Sequence, residues 1–191
     1  MRDLEGAKRA LERAEQASDE IDRSVWLAKA ADYAISRDAV LVGGAAVNLH
    51  TASYKPTDID LCAYLDADDR EELDRLGFKQ SQGDHFIYTF GDGEKWPVEF
   101  PGSVVDGDVM RVSLDDDDLL TVISTESLVF DRIRQATDRT GVTFDEAVRL
   151  CRAVMQTADW ALIEGRIQAE DRQAPLMRIK ETYERILAKA R

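Results

Sequence analysis

The sequence predicts an α/β (α+β) fold: a mixed sheet of about four to six strands, flanked by N-terminal helices and followed by a C-terminal helical part. Three observations predict it. Residues 2–36 and 124–191 carry apolar residues at helical three- and four-residue steps, whereas residues 39–123 carry short alternating or fully apolar runs broken by Gly, Pro and Asp. The 191 residues are 44% hydrophobic and 33% charged, which is enough apolar material for a packed core. The change of period near 123 divides the chain into 1–123, a sheet-bearing domain with N-terminal helices, and 124–191, the C-terminal helical part.

Taken in order, Leu4, Ala7, Leu11 and Ala14 mark a first helix, and Ile21, Val25, Trp26, Ala30 and Tyr33 a second, with Ser18 as the cap between them. Strands are expected in AVLV (39–42), DIDLCAYL (58–65), HFIYTF (85–90), PVEF (97–100), MRVSL (110–114) and LLTVI (119–123). A short apolar helix is expected from Ala45 to about His50. Pro97 and Pro101 mark their strand as short or at a sheet edge, because proline cannot donate to a ladder. Thr143 and Glu146 match a capping box, and Pro175 separates the last two helices.

Lys and Arg number 25 against 38 Asp and Glu, a formal net charge of -13. The count of 24 Asp to 14 Glu and 18 Arg to 7 Lys is lopsided within each sign. Such a surface repels nucleic acid at low salt, and it fits either a cationic partner or a halophilic, salt-loaded cytoplasm where carboxylate repulsion is screened. The spread of acids along the whole chain favours the second. The run Asp115, Asp116, Asp117, Asp118 reads as a solvated loop, since consecutive acids lack the spacing of a calcium loop. No apolar run reaches membrane-spanning length and the N-terminus is charged and helical, so a soluble, cytoplasmic protein is expected. Cys62 and Cys151 read as buried thiols.

The chemistry concentrates in VLVGGAAVNLHTASYKPTDIDL (40–61). A buried strand runs into Gly43-Gly44, where the backbone can turn sharply and approach a ligand, and the following helix start offers amides to an anion. A plain strand-to-helix turn explains the same pair. Thirteen residues later comes Asp58-Ile59-Asp60. On an extended strand both aspartates point one way and Ile59 the other, toward the core. Two such carboxylates repel one another unless a cation lies between them, and hard oxygen ligands suit magnesium.

Hydrophobic-Gly-Gly, a spacer, then acid-hydrophobic-acid resembles the nucleotidyltransferase superfamily related to DNA polymerase beta, over roughly residues 36–100. Within it the chain looks most like the minimal and abortive-infection-type members, where a basic residue and a Thr precede the acidic pair, as Lys55 and Thr57 do here. The resemblance implies metal-dependent transfer of a nucleoside monophosphate from ATP or another triphosphate to an acceptor hydroxyl. Asp58 and Asp60 would hold Mg2+ (or Mn2+) on the triphosphate, and Gly43 and Gly44, with Lys55 and Thr57, would bind it. A third carboxylate is also implied, for which Glu99 is the leading residue and Asp92 or Asp106 the alternatives. Acceptors among relatives include antibiotics, transfer RNA and proteins, and some relatives are toxins paired with an antitoxin. A binding or interaction module that keeps the fold without catalysis is the alternative.

Other residues carry less. His50 and His85 lack a nucleophile motif and do not suggest a triad, and His50 reads as packing. No P-loop motif occurs. Trp26, Trp96 and Trp160 read as core or domain-contact residues. Ser124 to Arg132 resembles the start of the helical part in relatives, with Arg132 where many have Lys. Arg132, Arg134, Arg139, Arg149 and Arg152 are expected to pair with local acids.

Overall fold

Two aspartates start the N-terminal helices of the computed structural model. Asp3 accepts from the Gly6 amide at 2.8 Å and opens α1 (Leu4–Gln16), and Asp19 accepts from the Asp22 amide at 2.9 Å and opens α2 (Glu20–Ala34). The second cap is therefore Asp19, not Ser18; its ionised side chain also complements the positive helix end. Ala7, Ala10 and Ala14 of α1 and Ala28 and Ala31 of α2 are buried, and their small side chains let the two helices pack closely.

The structure describes residues 2–52, 55–115, 118–138 and 142–191. After α2 the chain forms β1 (Val40–Val42), α3 (Gly43–Thr51), β2 (Ile59–Cys62), α4 (Ala67–Arg75) and β3 (Lys79–Gln82). It continues through β4 (His85–Thr89), β5 (Lys95–Glu99), β6 (Val109–Ser113) and β7 (Leu119–Ile123). The sheet order is β3-β4-β5-β2-β1-β7-β6, with β1/β7 and β2/β5 parallel and the other neighbours antiparallel. The mixed sheet agrees with the sequence, but it has seven strands among the described residues instead of four to six. The added strand, β3, reads KQSQ and is exposed throughout, so no apolar alternation announces it. The helix α4 was likewise silent in apolar pattern; it is set by a capping box in which Asp66 and Asp69 satisfy each other's amides.

One sheet face is the core of the unit. Leu41, Ile59, Leu61, Phe86, Val98, Leu120 and Val122 are all at most 1% exposed. Their strand neighbours Val40, Val42, Asp60, Cys62, Ile87, Pro97 and Glu99 face the other way and are half-buried. Cys62 is thus a half-buried thiol, whereas Cys151 is buried as expected, and burial pushes its pKa up to about 12. The strand bearing Pro97 is interior, not an edge. Phe90 and Phe100 donate across the β4/β5 ladder to Glu94 and Asp84, so strict alternation leaves Pro97 at a non-hydrogen-bonded position. Its nitrogen turns toward β2, whose pairing begins one residue later, at Ile59 with Val98.

The acidic run is anchored at both ends, not merely solvated: Asp115 pairs with Arg13 and Asp118 accepts from the Tyr33 hydroxyl. Asp116 and Asp117 lie outside the described residues. Trp96 is core at 4% exposure, while Trp26 is half-buried beneath the Arg13 guanidinium, 4.5 Å from its ring. His50 packs as expected, its Nε2 2.8 Å from the Ile123 carbonyl.

The chain divides into two compact units, Met1–Ile123 and Ser124–Arg191. The second comprises α5 (Thr125–Asp138), α6 (Val142–Ala153), α7 (Trp160–Gln173) and α8 (Ile179–Ala190) around Leu128, Ile133, Leu150, Ile163, Ile167 and Ile186. Helix α6 begins at Val142, so Thr143 falls inside its first turn instead of capping it. Pro175 opens a short 3-10 turn between α7 and α8. Arg132 and Arg134 lie 3.9 and 3.7 Å from Glu146 and Asp131, but Arg152 donates to the Lys189 carbonyl at the end of α8, where carbonyls lack helical partners. Arg139 lies outside the described residues. Among the described residues no helix is long and apolar enough to cross a membrane.

A buried carboxylate ties the N-terminus to the sheet unit. Asp69, its side chain 1% exposed, accepts from Arg2 at 2.8 and 3.0 Å, from the Ser36 amide and hydroxyl at 2.8 and 3.2 Å, and from the Asp66 amide at 3.0 Å. Burial works to raise its pKa, but the hydrogen bonds from Asp66, Arg2 and Ser36 outweigh burial and hold it below the usual carboxylate range. Asp69→Ala should cost about 2–3 kcal/mol, since it orphans those donors. A depressed carboxylate stabilises fully above its unfolded pKa of about 3.9 and loses that contribution as pH falls through its folded value. The urea-stability gap between wild type and Asp69→Asn should therefore be present at neutral pH and close in acid; a gap independent of pH would refute this.

Candidate active site

The strand β1 ends extended at Val42, and the chain turns at Gly43 with φ of +64°. That left-handed conformation is open to glycine and costs other residues about 1–2 kcal/mol. Space makes the same demand independently. A Cβ on residue 43 would lie 2.8 Å from the Asp60 Cγ and 3.0 Å from its Cβ, with Oδ2 nearer still. The approach follows from pairing, because antiparallel β1/β2 sets Val42 opposite Asp60 and so brings that carboxylate against the next residue. Gly43 is also the first residue of α3, whose N-cap, Val42, has no side-chain cap, so the Asp60 carboxylate lies at the positive end of a helix dipole. Gly44 is buried in the same first turn.

On its other side, Asp60 pairs in register with Glu99, through parallel β2/β5. Glu99 in turn is opposite His85 across antiparallel β4/β5. A row His85, Glu99, Asp60, Val42 thus crosses four strands on the half-buried face and ends at the Gly43 turn. Carboxylates side by side repel; here one Asp60 oxygen, Oδ2, lies toward Gly43, and one Glu99 oxygen, Oε1, lies 3.1 Å from His85 Nδ1.

The remaining expected residues are placed differently. Asp58 is half-buried in a bend just ahead of β2, so strand alternation governs Asp60 and Cys62 but does not by itself aim Asp58. Lys55 is exposed and its ammonium is 2.6 Å from Glu20 of α2; Thr57 is exposed in the bend. Asp92 sits at the tip of the β4/β5 hairpin, the end opposite Glu99, and pairs with Arg23 at 3.0 Å. The Glu94 amide and then the Arg23 guanidinium hold the Asp92 carboxyl below its usual range. Asp106 is exposed in the connection from β5 to β6. Of the three acids considered, Glu99 alone is in register with Asp60.

Among the described residues, no three His, Cys, Asp or Glu side chains form a group that could hold a metal ion. The donors near Asp60 are nevertheless hard carboxylate oxygens, and magnesium is commonly held by one or two carboxylates with substrate phosphates completing its shell. The donor chemistry therefore fits a cation that arrives with a triphosphate and not an all-protein metal cage.

Sequence reasoning missed His85. The signal was present: Gly91-Asp92-Gly93 is a hairpin turn, and counting outward from Asp92 pairs His85 with Glu99.

This fold is similar to a solved structure, that of an antigenic nucleotidyltransferase-like protein from Paracoccidioides brasiliensis, with a TM-score of 0.53 over 85% of this chain and 94% of that chain. The identity is 13%, so the likeness concerns the fold. No family model and no curated protein sequence matches the chain. Gly43→Ala should cost about 2–4 kcal/mol in the wild type, from strain plus displacement of Asp60, but only about 1–2 kcal/mol in an Asp60→Gly background. Additive costs in denaturant titrations would show that the Gly43–Asp60 contact is not what requires glycine. The architecture is an α/β nucleotidyltransferase-like fold.

Proposed function

We propose that this chain is a nucleotidyltransferase that moves a nucleoside monophosphate from ATP or another nucleoside triphosphate to a hydroxyl of an acceptor. The observation that carries this reading is the Gly43 turn closed against Asp60 at a helix start, on a fold shared with a nucleotidyltransferase-like protein. In this reading the Gly43 and Gly44 amides receive phosphate oxygens at the start of α3. Asp58 and Asp60 would hold Mg2+ or Mn2+ with the triphosphate, and Lys55 and Thr57 would flank its phosphates. The cation supplies charge neutralisation at the phosphates. The acceptor hydroxyl gives its proton to solvent as its oxygen bonds to the α-phosphorus, the bond from that phosphorus to the oxygen bridging to the β-phosphate breaks, and pyrophosphate leaves. Glu99 serves the acceptor side of the row.

The net charge of -13 favours a small molecule or protein over nucleic acid as acceptor at low salt, and molar salt would weaken that preference. A toxin restrained by an antitoxin is one form this activity could take. A second reading has its own support: Glu99 lies against His85, 3.1 Å away, as suits a nucleotide-binding module without catalysis.

Labelled triphosphates, Mg2+ or Mn2+, and cell extract at low and high salt should yield a labelled acceptor. Glu99→Gln should lower transfer by two or more orders of magnitude, the ~3 kcal/mol scale of one transition-state electrostatic contact, while triphosphate binding survives within several-fold. Asp58→Asn should damage both. Wild-type binding without transfer to any acceptor would favour the binding module.

A further inference from the structure

We propose that His85 is a positioning residue for Glu99: it fixes one carboxylate oxygen and so aims the other at the Asp60 side of the site. The proposal rests on the reading of Glu99 as a site residue. Glu99 is the last residue of β5, with a half-buried side chain 29% exposed, and a glutamate at a strand end has rotamer freedom that must be removed before it can act. Its register neighbour Asp60 repels it, so an unsupported Glu99 would swing toward solvent. The His85 Nδ1 lies 3.1 Å from Oε1, on the side of Glu99 away from Asp60, and leaves Oε2 for a cation or an acceptor.

The backbone around His85 is built to aim it. On the β4/β5 side, Glu99 and His85 form a non-hydrogen-bonded pair, the kind whose side chains approach most closely. The flanking Phe100 amide donates to the Asp84 carbonyl at 3.0 Å and fixes that end of the ladder. On the β3/β4 side the register slips at this residue: Gln80 pairs with Phe86, but Gln82 pairs with His85, leaving Ser81 as the extra residue of a bulge. The Ser81 hydroxyl donates to the His85 carbonyl at 3.2 Å, and Gly83 closes the turn with φ of +54°. A bulge re-aims the side chain opposite it. Nothing in core packing requires this, since the His85 side chain is 51% exposed.

Partners that orient a ligating carboxylate typically account for 10–100-fold in affinity or activity. His85→Ala should therefore lower kcat for nucleotidyl transfer about 10-fold or more while KM for the triphosphate stays within about twofold. His85→Asn, which keeps an N–H donor near the Nδ1 position, should restore most of the loss. Manganese with a non-hydrolysable triphosphate gives the readout that needs no activity. Electron paramagnetic resonance of Mn2+ in the presence of that triphosphate should show binding weakened about 10-fold by His85→Ala, and no effect of the same substitution in a Glu99→Gln background. Equal manganese affinity in His85→Ala and wild type, a His85→Ala effect that persists without Glu99, or a raised KM at unchanged kcat would overturn the proposal. If the wild type transfers nothing to any acceptor, the enzyme reading fails, and the manganese comparison still decides the role of His85.

Discussion

Asp60 can occupy its place only because residue 43 has no side chain. The two demands on Gly43, a left-handed backbone and an empty Cβ position, are separate in origin and meet at one residue. Most of the site's geometry depends on this contact. The β1/β2 register that creates it also fixes Asp60 on the half-buried sheet face, and the β2/β5 register then fixes Glu99 beside it. An alanine at position 43 would have to move either the carboxylate or the start of α3, and both belong to the site.

The arrangement of charge along the row has a simple logic. Two carboxylates in neighbouring register positions are unfavourable unless each is given its own compensation. Asp60 lies at the positive end of α3, and Glu99 lies 3.1 Å from the His85 ring nitrogen. Elsewhere the protein handles buried acid in the same way: Asp69 is tolerated at 1% exposure because Arg2, Ser36 and Asp66 direct donors at it. In the row, one Asp60 oxygen lies toward Gly43 and one Glu99 oxygen lies toward His85.

Much of this was legible in the sequence, for physical reasons that can be named. Strand periodicity exposed the core face, because Ile59 and Leu61 alternate with Asp60 and Cys62. Glycine doubling marked the turn, and the flanking apolar residues marked the strand of Glu99. What escaped were features without apolar pattern. The polar edge strand β3 is held by its ladder with β4, and α4 by aspartate capping, and neither leaves a hydrophobic period to read. The interior position of β5 was hidden by Pro97, whose missing donor falls where no partner is required. His85 was overlooked because its importance lies in register, a property of two segments together and not of either one. The bend before β2 also limits what alternation says of Asp58.

The central claim is that Asp60, seated against the α3 start, forms with Asp58 a site for a triphosphate carrying a divalent cation. Calorimetric titration of ATP into the protein, with Mg2+ and again with excess chelator, tests it most directly. The account predicts that affinity falls steeply when the cation is removed, because phosphates and carboxylates then meet with no positive charge between them. Equal ATP affinity under the two conditions would contradict it.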